Sequence, residues 1–283
     1  MSIQKVAVIG AGIMGNGIAQ VCALAGLDVT LIDISQQALE KGLATLTGNL
    51  DRQLRKDVIS AADKAGALAR IQLSTDYAVL AGVDLVIEAA TENLELKKRI
   101  LQQVDGVAGA ECIIATNTSS LSITELGAAL SRPAHFIGLH FFNPVPMMAL
   151  VEVIRGLQTS DATQAAAVAV SERIGKSAVS VRNRPGFVVN RLLCPMLNEA
   201  IFVLQDDLAS AEDIDTAMRL GCNHPIGPLA LADLIGLDTL LAAMQSLYVG
   251  FDDPKYRPAP LLKEMVLAGY LGRKSGRGFY TYE

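Results

Sequence analysis

Two residues carry the most chemistry for their surroundings. His140 closes the apolar run FIGLH at 136–140, and Glu152 sits inside LVEVI at 150–154, where every neighbour is apolar. A carboxylate in such a strand needs a partner, because an unpaired charge in a protein interior is strongly destabilising. Between the two runs lies Phe141-Phe142-Asn143-Pro144-Val145-Pro146, a turn sequence. A turn centred on Pro146 sets residue 140 opposite residue 152 in an antiparallel register, unless a bulge shifts it. So paired, the carboxylate fixes the imidazole tautomer and steadies its protonated form. The ring can then give a proton to a carbonyl oxygen as hydride arrives, and take it back in the reverse direction. The alternative is a buried His–Glu pair that only stitches two strands. His135 reads as a strand-edge residue and His224, before Pro225, as a loop or cap residue.

A source of hydride is suggested at the N-terminus. Gly10-Ala11-Gly12-Ile13-Met14-Gly15 follows a predicted strand and opens a predicted helix. Gly10 permits the tight turn, Gly12 lets backbone N–H groups approach a pyrophosphate, and Gly15 lets helix and strand pack closely. A GxGxxG run alone is a weak signal. Here the second strand ends in Asp33, placed to accept hydrogen bonds from both adenosine ribose hydroxyls and to repel a 2′-phosphate. Ile34 rather than an arginine follows, so NAD is favoured over NADP. Otherwise the glycines make an ordinary helix turn and Asp33 is the N-cap of the next helix.

Two polar positions could serve the reacting end. Asn117-Thr118-Ser119-Ser120 follows a strand at 112–116, and Ser119 could hydrogen-bond a substrate oxygen or nicotinamide; a turn or N-cap role is equally natural. Asn190 sits on a predicted helix, where its amide either reaches a cleft or faces solvent.

The elements that must position these residues alternate. Strands are predicted at 5–9, 29–32, 71–74, 83–88, 112–116, 136–140 and 150–154, with helices at 13–25, 36–65, 93–107 and 123–130. Ser122 and Glu125 make a capping box for the last of these. Near-continuous apolar strands alternating with helices indicate a Rossmann-type α/β fold, a mostly parallel sheet with helices on both faces. The segment 36–65 is longer than a crossover needs and is expected to project as a helical hairpin, broken near Gly48 or Ser60. After Arg184-Pro185-Gly186 no strand is expected, and helices are predicted at 187–204, 211–220, 229–248 and 261–268. The domains are therefore 1–184, dinucleotide-binding, and 185–283, all-helical, with the active site expected in the cleft between them.

Composition agrees with an enzyme of this kind. The chain has 283 residues, 51% hydrophobic and 19% charged, ample for a large core. A net charge of −5 without a long basic run argues against a nucleic-acid binder. Cys22, Cys112, Cys194 and Cys222 show neither CxxC nor metal-ligand spacing, so no metal is expected and a reducing compartment is. The uncharged run 6–27 imitates a signal sequence, but its glycine spacing fits strand, turn and helix. A cytoplasmic location without membrane association is the expectation.

These motifs, with Pro185-Gly186-Phe187-Val188-Val189-Asn190-Arg191 and the ending Leu271-Gly272-Arg273-Lys274-Ser275-Gly276-Arg277-Gly278-Phe279-Tyr280, resemble the short-chain L-3-hydroxyacyl-CoA dehydrogenases over essentially the whole chain. The resemblance is strongest to the bacterial 3-hydroxybutyryl-CoA dehydrogenase group. It implies His140 as acid/base, Glu152 as its orienting partner, and Ser119 and Asn190 at the substrate's reacting end. It implies Glu92, Lys97, Asn143 and Lys274 at the nicotinamide half of NAD; otherwise Glu92 and Lys97 are solvated charges and Lys274 belongs to a mobile tail. It also implies L, or S, stereochemistry and a homodimer through the helical domain. Coenzyme A is anionic, and Arg52 and Lys56, four apart on the long second helix, are candidates to receive it, unless they form only a solvated face. A same-fold dehydrogenase of sugar acids or other non-CoA hydroxy acids, and an inactive binding protein on the same scaffold, are the competing readings.

Overall fold

The structure is a computed structural model and describes residues 3–282. The chain divides between Asn183 and Arg184 into two compact units. The first holds eight strands: β1 (Lys5–Ile9), β2 (Asp28–Ile32), β3 (Ile71–Ser74), β4 (Leu85–Glu88), β5 (Ile113–Thr116), β6 (Phe136–Phe141), β7 (Leu150–Arg155) and β8 (Ser177–Arg182). They form one sheet in the order β3-β2-β1-β4-β5-β6-β7-β8. From β3 to β6 all neighbours are parallel; β7 runs antiparallel to β6, and β8 parallel to β7.

The sheet is buried by helices, which explains the unbroken apolar strands. Val6, Val8, Leu85, Ile87, Ala115, Leu139 and Val153 share one core with α1 (Ile13–Leu24), α2 (Gln36–Arg55), α3 (Ala61–Ala69) and α6 (Asp161–Arg173). The alternate strand positions, among them Ile9, Val86 and Ile114, lie outside that core. They point to the opposite face, as the two-residue strand period requires. The other two helices of the unit, α4 (Leu94–Val107) and α5 (Ile123–Ala128), bury Leu101, Val104, Ile123 and Leu126. Register therefore fixes the site: Ile9, Glu88, Thr116 and Gly138 are successive partners, and two residues past Gly138 His140 pairs with Glu152.

Several elements differ from expectation. Strand β8 and helix α6 have no counterpart in the sequence reading. SAVSVR alternates too weakly, with Val181 its single buried residue, and α6 is nearly as polar on one side as on the other. The segment 36–65 breaks at 56–60, at Ser60 rather than Gly48, and α3 opens on a capping box between Ser60 and Asp63. Nor does the pair simply project. Leu39, Leu46 and Leu50 are buried, an Asp51–Lys64 ion pair ties the two helices, and Gly42 lies so close to the glycine-rich turn that a Cβ would stand 2.8 Å from the Ala11 carbonyl oxygen. Half of the expected capping box on α5 forms: Ser122 Oγ accepts from Glu125 N–H, while the Glu125 carboxylate pairs with Lys98 at 2.9 Å.

The second unit is helical: α7 (Val189–Gln205), α8 (Ala211–Gly221), α9 (Pro228–Ile235), α10 (Leu237–Phe251) and α11 (Pro260–Leu267), around Leu197, Ile201, Leu229, Leu240, Met244 and Leu262. The single helix expected over 229–248 is two helices bent by 97° at Gly236, whose φ of +101° suits glycine. The ending is docked rather than a mobile tail. Asp233, 1% exposed, accepts hydrogen bonds from the N–H groups of Phe279 and Tyr280 and from the Tyr282 hydroxyl. Among the described residues no single helix is long and apolar enough to cross a membrane; one bent pair, α9 with α10, passes that test by length and composition.

Candidate active site

His140 and Glu152 stand directly opposite on β6 and β7, and His140 Nδ1 lies 2.7 Å from Glu152 Oε2. Both side chains are buried, and the imidazole centroid is 4.4 Å from the ring of Phe142. The Nδ1 contact orients the ring and points Nε2 away from the carboxylate. This is the arrangement that a positioned acid–base group needs.

The loop beyond β5 is tied to this pair and to the start of α4. Asn117 Oδ1 accepts from Phe141 N–H at 2.9 Å, linking the loop to the residue after His140. Glu92 Oε1 accepts from the Thr118 hydroxyl, the Ser119 N–H and the hydroxyls of Ser119 and Ser120, at 2.7–3.3 Å. Ser119 is therefore held by Glu92, and the N-cap of α5 is Ser122. Asn143 is exposed in the turn after β6 and joins Pro144 through a cis peptide bond.

Lys97 is not a solvated charge. Its side chain is wholly buried; Nζ donates to Glu88 Oε2 and, at 3.1 Å, to Thr116 Oγ1, and lies 3.9 Å from Glu92. Glu88, equally buried, also accepts from the Ala90 N–H and the Thr116 hydroxyl. Sequence reading missed Glu88 and Thr116. The signal was present for Glu88, since a carboxylate ending an otherwise apolar strand obeys the same rule that singled out Glu152.

At the tip of β1, Gly10 adopts φ +100°, and a Cβ there would stand 2.7 Å from Ala90 Cα. A Cβ on Gly15 would fall 1.7 Å from the Gly10 carbonyl oxygen, whereas one on Gly12 would meet nothing within 4 Å. Gly12 begins α1 without any side-chain cap, which leaves the first N–H groups of this helix for an acceptor from outside it. Asp33 accepts from the N–H groups of Ala11 at 2.9 Å and Ser35 at 3.1 Å, and the N-cap of α2 is Ser35 rather than Asp33. An uncapped helix start with room for a phosphate and a carboxylate beside it fit a dinucleotide.

The remaining candidates lie apart from this cluster along the chain. Arg52 and Lys56 are exposed, the first on the last turn of α2 with its guanidinium on Asn49, the second at the C-cap. In the second unit, Asn190 is half-buried in the first turn of α7, and Lys274 pairs with Asp238 at 2.5 Å.

Comparison with known proteins accounts for both units. The model of the 3-hydroxyacyl-CoA dehydrogenase NAD binding domain matches residues 5–184, and that of the 3-hydroxyacyl-CoA dehydrogenase C-terminal domain matches residues 186–282. A 3-hydroxybutyryl-CoA dehydrogenase of Bradyrhizobium diazoefficiens is 53% identical over 280 residues, 99% of this chain and 96% of its own. One from Clostridioides difficile is 50% identical over 279 residues, 99% of each. The crystal structure of (S)-3-hydroxybutyryl-CoA dehydrogenase PaaH1 from Ralstonia eutropha aligns over the whole of both chains with a TM-score of 0.98 and 63% identity.

Proposed function

Because the chain belongs to the 3-hydroxyacyl-CoA dehydrogenase family and carries its NAD binding domain, we propose that it interconverts (S)-3-hydroxybutyryl-CoA and acetoacetyl-CoA with His140 as acid–base group. The observation that carries the reading is the buried His140–Glu152 pair, with Nδ1 held at 2.7 Å by the carboxylate. NAD(H), when bound at Gly10, Gly12, Gly15 and Asp33, supplies hydride exchange at C3 of the acyl chain. Proton traffic belongs to the protein. With Nδ1 engaged by Glu152, Nε2 gives a proton to the C3 oxygen during reduction and recovers it during oxidation. Ser119 and Asn190 hold that oxygen and the thioester; Glu92, Lys97, Asn143 and Lys274 serve the nicotinamide end. For Lys97 this service is indirect, through the buried contact to Glu88 and the approach to Glu92.

Arg52 and Lys56 receive the phosphates of coenzyme A. Exposed Leu192, Leu220, Val249 and Leu267 on the helical unit support a homodimer through that unit, which light scattering would test; a monomer at micromolar concentration would reject it. The activity itself is tested by NADH oxidation with acetoacetyl-CoA against free acetoacetate and sugar-derived oxo acids. Turnover that requires the CoA ester agrees with the proposal. Equal or faster turnover of the free acids overturns it in favour of a non-CoA dehydrogenase, and cofactor binding without any turnover in favour of an inactive binding protein. Rates across acyl lengths, with and without a terminal carboxylate, define the chain preferred.

A further inference from the structure

The turn that joins the two strands of the His–Glu pair is itself held from outside. Lys176, between α6 and β8, is 7% exposed. Its Nζ donates to the carbonyl oxygens of Val145 at 2.6 Å and Met148 at 2.8 Å, both in the β6–β7 turn. Among the described residues no carboxylate lies within ion-pair distance of it. Backbone geometry aims the side chain there: Gly175 has φ +76°, Lys176 N–H bonds to Ser171 O at 3.0 Å, and Ser177 N–H to Ala149 O at 2.7 Å. The opposite side of the turn rests on the cofactor helix. Val145 is buried, and a Cβ built on Gly17 of α1 would stand 2.9 Å from Val145 Cβ and 3.6 Å from Pro146 Cδ.

We propose that Lys176 is a positioning residue for catalysis, whose ammonium clamps the β6–β7 turn against α1 and so fixes His140, Glu152 and Asn143 relative to the dinucleotide site. Charged donors make the stronger hydrogen bonds, and two carbonyls bound by one ammonium lock a turn that would otherwise have several arrangements. The two partners sit close to the clamped carbonyls, His140 five residues before Val145 on β6 and Glu152 four residues after Met148 on β7. The inference rests on His140 being the acid–base group, and the test separates the two.

Lys176→Met removes the donors while keeping the unbranched aliphatic stem as far as the position of Cε. We expect kcat to fall about 10- to 100-fold, the effect of a misplacement near 1 Å, while the Kd for NADH measured by fluorescence changes less than about threefold. In the His140→Gln background the same substitution should cost little, because it acts through the imidazole; a merely structural role would cost as much in both backgrounds. Lys176→Gln, one bond shorter and still polar, should behave as Lys176→Met and decides the matter if the latter does not fold. An unchanged kcat in a folded variant, or equal losses in both backgrounds, overturns the inference. If His140→Gln alone leaves kcat unaltered, the acid–base reading falls and takes the inference with it.

Discussion

Asp33 Oδ2 lies 2.9 Å from the amide nitrogen of Ala11, so the carboxylate at the end of β2 holds the glycine-rich turn at the end of β1. The residue that would read the ribose therefore also shapes the loop that would receive the pyrophosphate. Asp33→Asn should raise the KM for NAD by about tenfold or more, the worth of a charge-assisted hydrogen bond, and relax discrimination against NADP. Steady-state kinetics with both cofactors check this, and an unchanged preference would remove Asp33 from the ribose role.

The His140–Glu152 contact gives a second test. His140→Gln should lower kcat by about 10²–10⁴ with NADH binding nearly unchanged. Glu152→Gln leaves an amide that can no longer favour one ring tautomer through charge, and kcat should fall in the same direction. Retention of full kcat by either variant, measured at saturating substrate, contradicts the assigned roles.

Arg52 and Lys56 are exposed, so their attraction to an anionic substrate is screened by salt. Replacing both with glutamine should raise the KM for acetoacetyl-CoA while leaving kcat alone, the mark of binding energy shared by ground and transition states. The increase should shrink as ionic strength rises and vanish with a thioester that lacks the nucleotide. A KM unaffected at low salt would place the coenzyme elsewhere.

The cysteines predict a simple thiol count. Burial pushes Cys22 up to about 12, against the pull of Arg173 and Lys176, and pushes Cys112 and Cys194 up to about 11. At pH 8 each is then a thiolate in at most about one molecule in a thousand, and the thiolate is the nucleophile. Cys222 is exposed. Native protein should give one fast-reacting thiol per chain with a disulfide reagent, and four in denaturant. A second fast thiol would show that one of the buried cysteines opens to solvent.

Much of the site was readable because burial imposes rules on single residues. Glu152, with two apolar strand residues on either side, demanded a partner, and the spacing about Pro146 chose His140; the register is the one observed. For Lys97 the sequence left a solvated charge open beside the cofactor role that the resemblance implied. Four residues past Asn93 at a helix start it looks like solvated charge, and only Glu88 and Thr116, brought beside it from β4 and β5, show it to be buried.

By itself, the order of residues determined the alternation of strands and helices as far as β7, the glycine turn with its distant aspartate, and the facing of residue 140 by residue 152, because local periodicity and a short hairpin suffice for each. Packing decided the rest: that 229–248 bends at Gly236, that β8 joins the sheet, that Glu92 gathers the Ser119 loop, and that Lys176 reaches the turn from 28 and 31 residues away. Those contacts join segments with no periodic relation to one another. Their partners exist only once the sheet order has been chosen.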